Sequence, residues 1–285
     1  MLSKYLEDYA NDGFCIVRQA VDLELVRKVN TDIDAFFAQN QDLLVKHGLL
    51  VDGMLHRVVN LHYCISTFQK IFTESMRAAS TIVDSFGKAT LYTSLFFEAG
   101  SEQELHRDTP YFYSGGEGGY MGVWIALDDV DENNGALIAV GGSHKISEPD
   151  LHKLKDLYFP NAEVPESSTP LFDAYNRELR EISKSLKLKT TTCLVEKGDM
   201  IIWNPSTLHG GLPHLDKSRS RRSFVMHITP RNQPIKQMDY FFNRDKPIEA
   251  TDIPYFEFED RLIAAGSEVD FRHLKSFSAS DLGFF

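Results

Sequence analysis

Across residues 1–45 apolar positions recur at helical spacing, with one interruption. Tyr5, Leu6 and Tyr9 share a helical face, Asn11-Asp12-Gly13 breaks that helix, and Phe14-Cys15-Ile16-Val17 reads as a short apolar strand. Helical spacing resumes from Leu23 to Phe37, with Asp22 at the capping position. Residues 65–86 predict another helix, stopped by Gly87. From Ala89 the pattern changes. Leu91 to Phe97, Met121 to Leu127, Ala136 to Val140, Thr191 to Val195, Met200 to Trp203 and Ser223 to Ile228 are short runs rich in β-branched and aromatic residues, separated by Gly, Asn and Asp. Such strands predict a mainly β fold with flanking helices, a sandwich or a jelly roll. Residues 147–189 form an insertion between strands, with a Pro- and Ser-containing loop (Phe159 to Pro170) and a charged amphipathic stretch (Tyr175 to Leu188). No internal repeat, low-complexity tract or linker divides the chain. Residues 1–285 are therefore expected to form one domain, with the insertion at about 147–189 as a lid.

Charge narrows the range of partners. Lys and Arg number 30 against 41 Asp and Glu, a formal net charge of −11. That field repels a phosphate backbone, and the one basic run, Lys217 to Arg222, is short and broken by serines. Nucleic acid is not expected as a partner. Three cysteines, Cys15, Cys64 and Cys193, form no CxxC pair and point to a reducing compartment. The N-terminal segment has no apolar signal core, and no apolar run approaches the roughly 20 residues of a membrane helix. A soluble cytoplasmic protein with no membrane partner is the expectation.

Candidate chemistry begins at His106-Arg107-Asp108, after a strand that ends near Gly100. In an extended segment residues two apart face the same way, so H-x-D can offer an imidazole nitrogen and a carboxylate oxygen to one ion. A second copy, His214-Leu215-Asp216, lies in a Pro/Lys/Ser turn without an adjoining apolar strand and reads as surface. For His106 alone, a structural histidine and a metal ligand stand as alternatives. His209 adds a third donor. It follows the apolar strand Met200 to Trp203 and precedes Gly210-Gly211, which allow close backbone approach. Two histidines and one carboxylate form the facial set that leaves positions open on non-haem iron(II). Arg221 leads into the strand Ser223 to Ile228, where a buried guanidinium suits the distal carboxylate of a keto-diacid. A solvated turn of Arg219, Arg221 and Arg222 is the alternative, with Arg222 pointing opposite to Arg221.

Taken together these residues resemble the phytanoyl-CoA dioxygenase family of iron(II)- and 2-oxoglutarate-dependent oxygenases. The resemblance is carried by Asp12-Gly13-Phe14, His106-x-Asp108, Val123-Trp124-Ile125-Ala126-Leu127-Asp128-Asp129, Asn134-Gly135-Ala136-Leu137, Gly142-Ser143-His144, Lys197-Gly198-Asp199, His209-Gly210 and Arg221, in that order. It covers about residues 5 to 230; the remaining C-terminal residues carry no motif. It implies a double-stranded β-helix, the cupin-like jelly roll. It implies His106, Asp108 and His209 as iron ligands and Arg221 as the anchor for 2-oxoglutarate, with Gln103, Thr93 and Trp124 along the cosubstrate's side. Thr93 and Trp124 also have a reading as strand-packing residues, and His144 belongs to a structural turn. The stretch Gly211-Leu212-Pro213-His214 departs from the family's polar pattern and leaves the register from His209 to Arg221 open by one residue.

The implied cofactors are iron(II), 2-oxoglutarate as cosubstrate, and dioxygen. The implied reaction is hydroxylation with release of succinate and carbon dioxide. A carboxylate at position 108 favours this over halogenation, while desaturation, epoxidation or ring closure depend on substrate placement. Tyr111, Phe112 and Tyr113 are expected to line the mouth. The acidic field suits a small or medium-sized metabolite, polar or cationic, and no basic cluster offers to hold a coenzyme A thioester. Two other readings start from the same residues: a zinc-dependent hydrolase using His209, His214 and Asp108, and a non-catalytic ligand-binding jelly roll. A hydrolytic zinc site does not explain an arginine leading into an apolar strand, and a non-catalytic relative is expected to have lost one of the three ligands or the arginine, which are all present together.

Overall fold

The computed structural model describes residues 2–48, 50–51, 54–55, 57–116, 119–266 and 276–278. Helix α1 (Leu2–Asp12) stops at Gly13, whose φ of +81° suits glycine. Helix α2 (Leu23–Lys46) starts where Asp22 accepts a hydrogen bond from the Glu24 N–H at 2.7 Å, as the capping position predicts, and continues past Phe37. The 65–86 stretch divides into α3 (Ser66–Ala78) and α4 (Ser80–Val83). The insertion contributes α5 (Leu151–Tyr158) and α6 (Thr169–Ser185), and α7 (Met238–Phe241) follows the last predicted strand.

In chain order the strands are β1 (Phe14–Val17), β2 (Leu50–Val51), β3 (Met54–Leu55), β4 (Arg57–Val59), β5 (Ala89–Phe97), β6 (Met121–Ala126) and β7 (Leu137–Val140). They continue as β8 (Thr190–Cys193), β9 (Met200–Trp203), β10 (His209–Gly211), β11 (Ser223–Pro230), β12 (Tyr255–Phe258), β13 (Arg261–Ala264) and β14 (Ser276–Ser278). The larger sheet has the order β1-β9-β6-β11-β5-β13-β12, with β4 also on β5; the smaller has β10-β7-β8. The C-terminal segment without a motif thus adds a hairpin, β12–β13, to the large sheet.

The large sheet is buried on both faces, and this explains its unbroken apolar runs. Alternate residues go opposite ways. Phe96, Val123, Ile202, Phe224 and Met226 pack beneath α2 and α3, where Phe68 stacks on Phe224 at 4.4 Å. Their neighbours Leu95, Phe97, Trp124, Trp203, Val225 and His227 face a cavity that residues of the small sheet also line. Each buried Phe or Met of the outer layer stabilises by roughly 1.5–3 kcal/mol relative to exposure. That layer holds the inner face in register.

Candidate active site

His106 and His209 are joined through their backbones. The His106 N–H donates to the His209 carbonyl at 2.8 Å, and the His209 N–H returns to the His106 carbonyl at 3.0 Å. This antiparallel pair sets the two imidazoles side by side, with ring centroids 4.5 Å apart. The segment carrying His106 and Asp108 is therefore not the strand the sequence suggests. It is a loop beyond β5, pinned to β10 by one isolated bridge. Arg107, buried and between His106 and Asp108 in sequence, fixes the loop further: its N–H donates to Asn176 Oδ1 on α6 at 2.8 Å, and its guanidinium to the carbonyls of Ser143 and Ile146.

Each imidazole bonds a backbone carbonyl through Nδ1, His106 to Glu104 at 2.8 Å and His209 to Thr207 at 3.0 Å. These bonds place the proton on Nδ1 and turn the Nε2 lone pairs toward Asp108, both at 3.6 Å from a carboxylate oxygen. Burial, reinforced by the neighbouring His209, pushes the His106 imidazole down to about 4, so it is the neutral, ligating form at pH 7. Burial alone would raise the Asp108 carboxyl. The pull of His209, His106 and His227 and the Trp203 N–H outweigh it, and the carboxyl sits below its ordinary range. The ligand atoms of His106, Asp108 and His209 all lie within 4.8 Å of one another, a donor set that fits a single divalent ion.

Asp108 is itself held. Its Oδ2 accepts from the Tyr120 hydroxyl at 2.9 Å and from Trp203 Nε1 at 3.1 Å. The indole reaches that oxygen because position 122 has no side chain: a Cβ on Gly122 would lie 2.0 Å from Trp203 Cε2. Tyr120 and Trp203 carried no motif and were not expected as site residues. Trp203→Phe removes one hydrogen bond while keeping a ring in the slot. Its expected effect is a fall of about 10- to 100-fold in iron(II) affinity with the fold retained. A ferrous-ion titration of both proteins checks this, and equal affinities would deny the indole its orienting role.

The cavity and the open solvent at its mouth together span about 800 Å³. Arg221 lies in its wall, 4% exposed, with its Nη1 donating to Ser223 Oγ at 2.7 Å. Its guanidinium is near the rings of Trp124 (5.5 Å) and Phe97 (5.8 Å). Among the described residues it makes no ion pair, and its buried Nε has no hydrogen-bond partner. Burial pulls its pKa down to about 10, still cationic at pH 7. Arg222 points the other way, to Glu98 and Asp34, and Arg219 pairs with Asp131. The register left open by one residue is thus closed, with Arg221 inward.

Gln103 and Trp124 line the same cavity. Thr93 shares the parity of Leu95 and Phe97 but is not among the lining residues; its hydroxyl donates to Asn60 Oδ1 at 2.7 Å. Tyr111 and Phe112 are in the wall, while Tyr113 borders a separate groove; Phe172 brings α6 of the insertion to the cavity. Arg57, on β4, lines it as well and was not anticipated.

The second H-x-D copy is a correction. His214 is 1% exposed, not surface. Its Nδ1 accepts from the Gly100 N–H at 3.0 Å, and Nε2 donates to the carbonyls of Asp216 and Arg219. With both ring nitrogens engaged, a metal set of His209, His214 and Asp108 is not assembled. Other motif residues are corners. Asn134 bridges Asp131 and Asp129, and Asp199 accepts from Gln19, Glu196 and Arg18. His144 lies in a turn against Gly13, where an added Cβ would be 2.3 Å from its Nδ1. Thr207, whose carbonyl holds His209, donates its hydroxyl to the Gly13 carbonyl at 2.8 Å, so that turn also positions His209.

Residues 9–223 match the sequence profile of the phytanoyl-CoA dioxygenase family. A protein of Danio rerio, phytanoyl-CoA dioxygenase domain-containing protein 1, is 26% identical over 129 residues, which are 45% of this chain and 40% of that protein. The chain thus spans about two fifths of that relative's length. Among solved structures, the epimerase SnoN, in complex with Fe3+, alpha ketoglutarate and nogalamycin RO, superposes with a TM-score of 0.58 at 16% identity, covering 92% of this chain and 98% of that one. SnoK, a non-heme alpha ketoglutarate dependent carbocyclase from nogalamycin biosynthesis, gives 0.57 at 15% identity, covering 87% and 93%. Likeness at these identities establishes the fold, a double-stranded β-helix. Among the described residues no helix is long and apolar enough to cross a membrane.

Proposed function

We propose that this chain, which belongs to the phytanoyl-CoA dioxygenase family and is an iron- and 2-oxoglutarate-dependent oxygenase-type enzyme, hydroxylates a small or medium-sized metabolite with release of succinate and carbon dioxide. One observation carries the reading. A His-Asp-His cluster and a buried arginine without an ion pair among the described residues share the wall of one cavity.

In this reading His106, Asp108 and His209 hold the iron, and Arg221 receives the carboxylate of 2-oxoglutarate remote from it. Iron(II) with 2-oxoglutarate supplies oxidation of a substrate C–H bond by dioxygen. The protein's own part is placement. Tyr120 and Trp203 fix the orientation of Asp108. Trp124 and Phe97 enclose the Arg221 guanidinium in a low-dielectric wall, where a bound carboxylate is held more strongly than in water. Tyr111, Phe112 and Phe172 present apolar surface that orients substrate and excludes water. Gln103 and Trp124 are assigned to the cosubstrate side of the cavity, and the insertion carrying Phe172 to closure of its mouth.

The fold also supports an epimerase and a carbocyclase, so the outcome at the substrate carbon is decided by product analysis. The cofactor site is tested first. Anaerobic titration of the apoprotein with iron(II) and 2-oxoglutarate is expected to give a visible metal-to-ligand charge-transfer band, and admission of oxygen slow succinate release. A featureless titration at saturating cosubstrate would set the reading aside in favour of a zinc enzyme or a binding protein.

A further inference from the structure

Helix α6 meets the loop of His106 and Asp108 along one face. Phe172, Asn176 and Arg180 follow one another at four-residue spacing, with Tyr175 on the same side. The Phe172 ring stands 6.1 Å from the His106 ring and 4.9 Å from that of Tyr111. Asn176, 1% exposed, accepts from the Arg107 N–H at 2.8 Å. Its Nδ2 donates to the Phe172 carbonyl at 3.0 Å, which fixes the amide with its oxygen toward the loop. Arg180 Nη1 donates to the Leu105 carbonyl at 2.9 Å, and Nη2 pairs with the Glu104 carboxylate at 3.0 Å. The Tyr175 hydroxyl donates to Glu148 at 2.7 Å and so accepts from the Thr109 hydroxyl, 3.3 Å away.

These bonds fall on particular backbone atoms. In an extended segment the N–H and C=O of one residue point to one edge, and those of its neighbours to the other. His106 turns both of its groups toward His209. The Leu105 carbonyl and the Arg107 N–H belong to its neighbours, and α6 meets each with the group it requires. A guanidinium donor serves the carbonyl, and an amide oxygen serves the N–H. The two peptide units that flank His106 thus have all four polar groups bonded, two by β10 and two by α6. Two helix side chains do for this segment what a second neighbouring strand would do.

We propose that Asn176 and Arg180 are positioning residues for His106, and that α6 is a fixed part of the metal site rather than a hinged lid. The inference rests on the oxygenase reading, in which His106 is an iron ligand. Swinging α6 outward would strip the Arg107 N–H and the Leu105 carbonyl of their partners and release the peptides on both sides of His106. Metal binding and docking of α6 therefore favour each other. Phe172 is held at one distance from His106, a rigid wall against which substrate packs.

The test uses the full-length apoprotein under anaerobic conditions. Iron(II) affinity is measured by calorimetry, and amide hydrogen exchange of residues 169–185 is followed with and without saturating iron(II). Asn176→Leu keeps the side chain's shape and loses the acceptor; Arg180→Met keeps the stem and loses the donors, while Arg180→Lys keeps one. Arg177→Gly, at an exposed position of the same helix, weakens α6 without touching the loop contacts. Iron(II) is expected to slow exchange in the wild-type helix by at least about threefold. Asn176→Leu and Arg180→Met are each expected to weaken iron(II) binding by about 10- to 100-fold, with Arg180→Lys between them and wild type. Arg177→Gly should melt earlier yet keep its iron(II) affinity within about twofold of wild type. The Arg180 variants sit at a part-exposed position, so they and the wild-type exchange comparison decide the matter even if Asn176→Leu does not fold. Unchanged iron(II) affinity in the Asn176 and Arg180 variants, or wild-type exchange indifferent to iron(II), overturns the proposal. So does a loss of affinity that simply follows melting temperature through Arg177→Gly, which would make α6 a general support. Absence of iron(II) binding in wild type is a different failure, that of the oxygenase reading.

Discussion

Asp108→Ala is expected to abolish the charge-transfer band and to lower succinate release by at least about a thousandfold, more than the 10- to 100-fold typical of an orienting partner. The change takes the one carboxylate from the cluster and leaves two imidazoles to hold the ion. It also strands two donors, the Tyr120 hydroxyl and the Trp203 N–H, in a buried wall where each costs about 1–3 kcal/mol when unpaired. A lower melting temperature is therefore expected alongside lost activity. Asp108→Asn separates the two effects. The amide keeps an oxygen for Tyr120 and Trp203 but lacks the charge, so it should melt near wild type and still fail to bind iron. Full turnover in either variant removes Asp108 from the metal site.

The candidate site was legible in the sequence as a set of residues, but its surroundings were not all legible. His106, Asp108, His209 and Arg221, which the fold brings to one cavity, were legible as candidates because they stand at fixed places among strands and turns. The turns around them, Asp12-Gly13 and Gly142-Ser143-His144, hold the His209 segment and Arg107 and leave the chemistry to others. Arg57 escaped notice for a geometric reason. Its strand has three residues, too few for a period, and it faces the cavity only because β4 pairs with Phe97. His214 was misjudged because its neighbours are polar. The residues that approach it are remote in sequence: Gly100, whose N–H meets the ring and whose added Cβ would lie 3.3 Å from the His214 Cβ, and Gly135. The net charge averages a whole surface, whereas the described cavity wall carries two arginines and one aspartate. Periodicity reports which way a side chain points; what it meets there depends on the neighbouring strand.

Arg221→Gln is expected to raise the 2-oxoglutarate concentration needed for half-maximal band formation by about 30-fold or more, with iron(II) affinity unchanged. The magnitude follows from the setting. Removing one partner of a buried charge pair costs about 2–5 kcal/mol, and each 1.4 kcal/mol is tenfold in affinity. Here the guanidinium is 4% exposed between Trp124 and Phe97, so water is poorly placed to substitute for it. Glutamine retains a donor for Ser223 Oγ, which limits damage to the strand that carries it. Arg221→Lys should fall between the two, since an ammonium keeps the charge but loses the two-point contact. Metal affinity is the internal control, because Arg221 is not one of the three residues whose donor atoms cluster. Joint loss of iron and 2-oxoglutarate binding would place Arg221 in the architecture of the metal site. Loss confined to 2-oxoglutarate makes it the cosubstrate anchor.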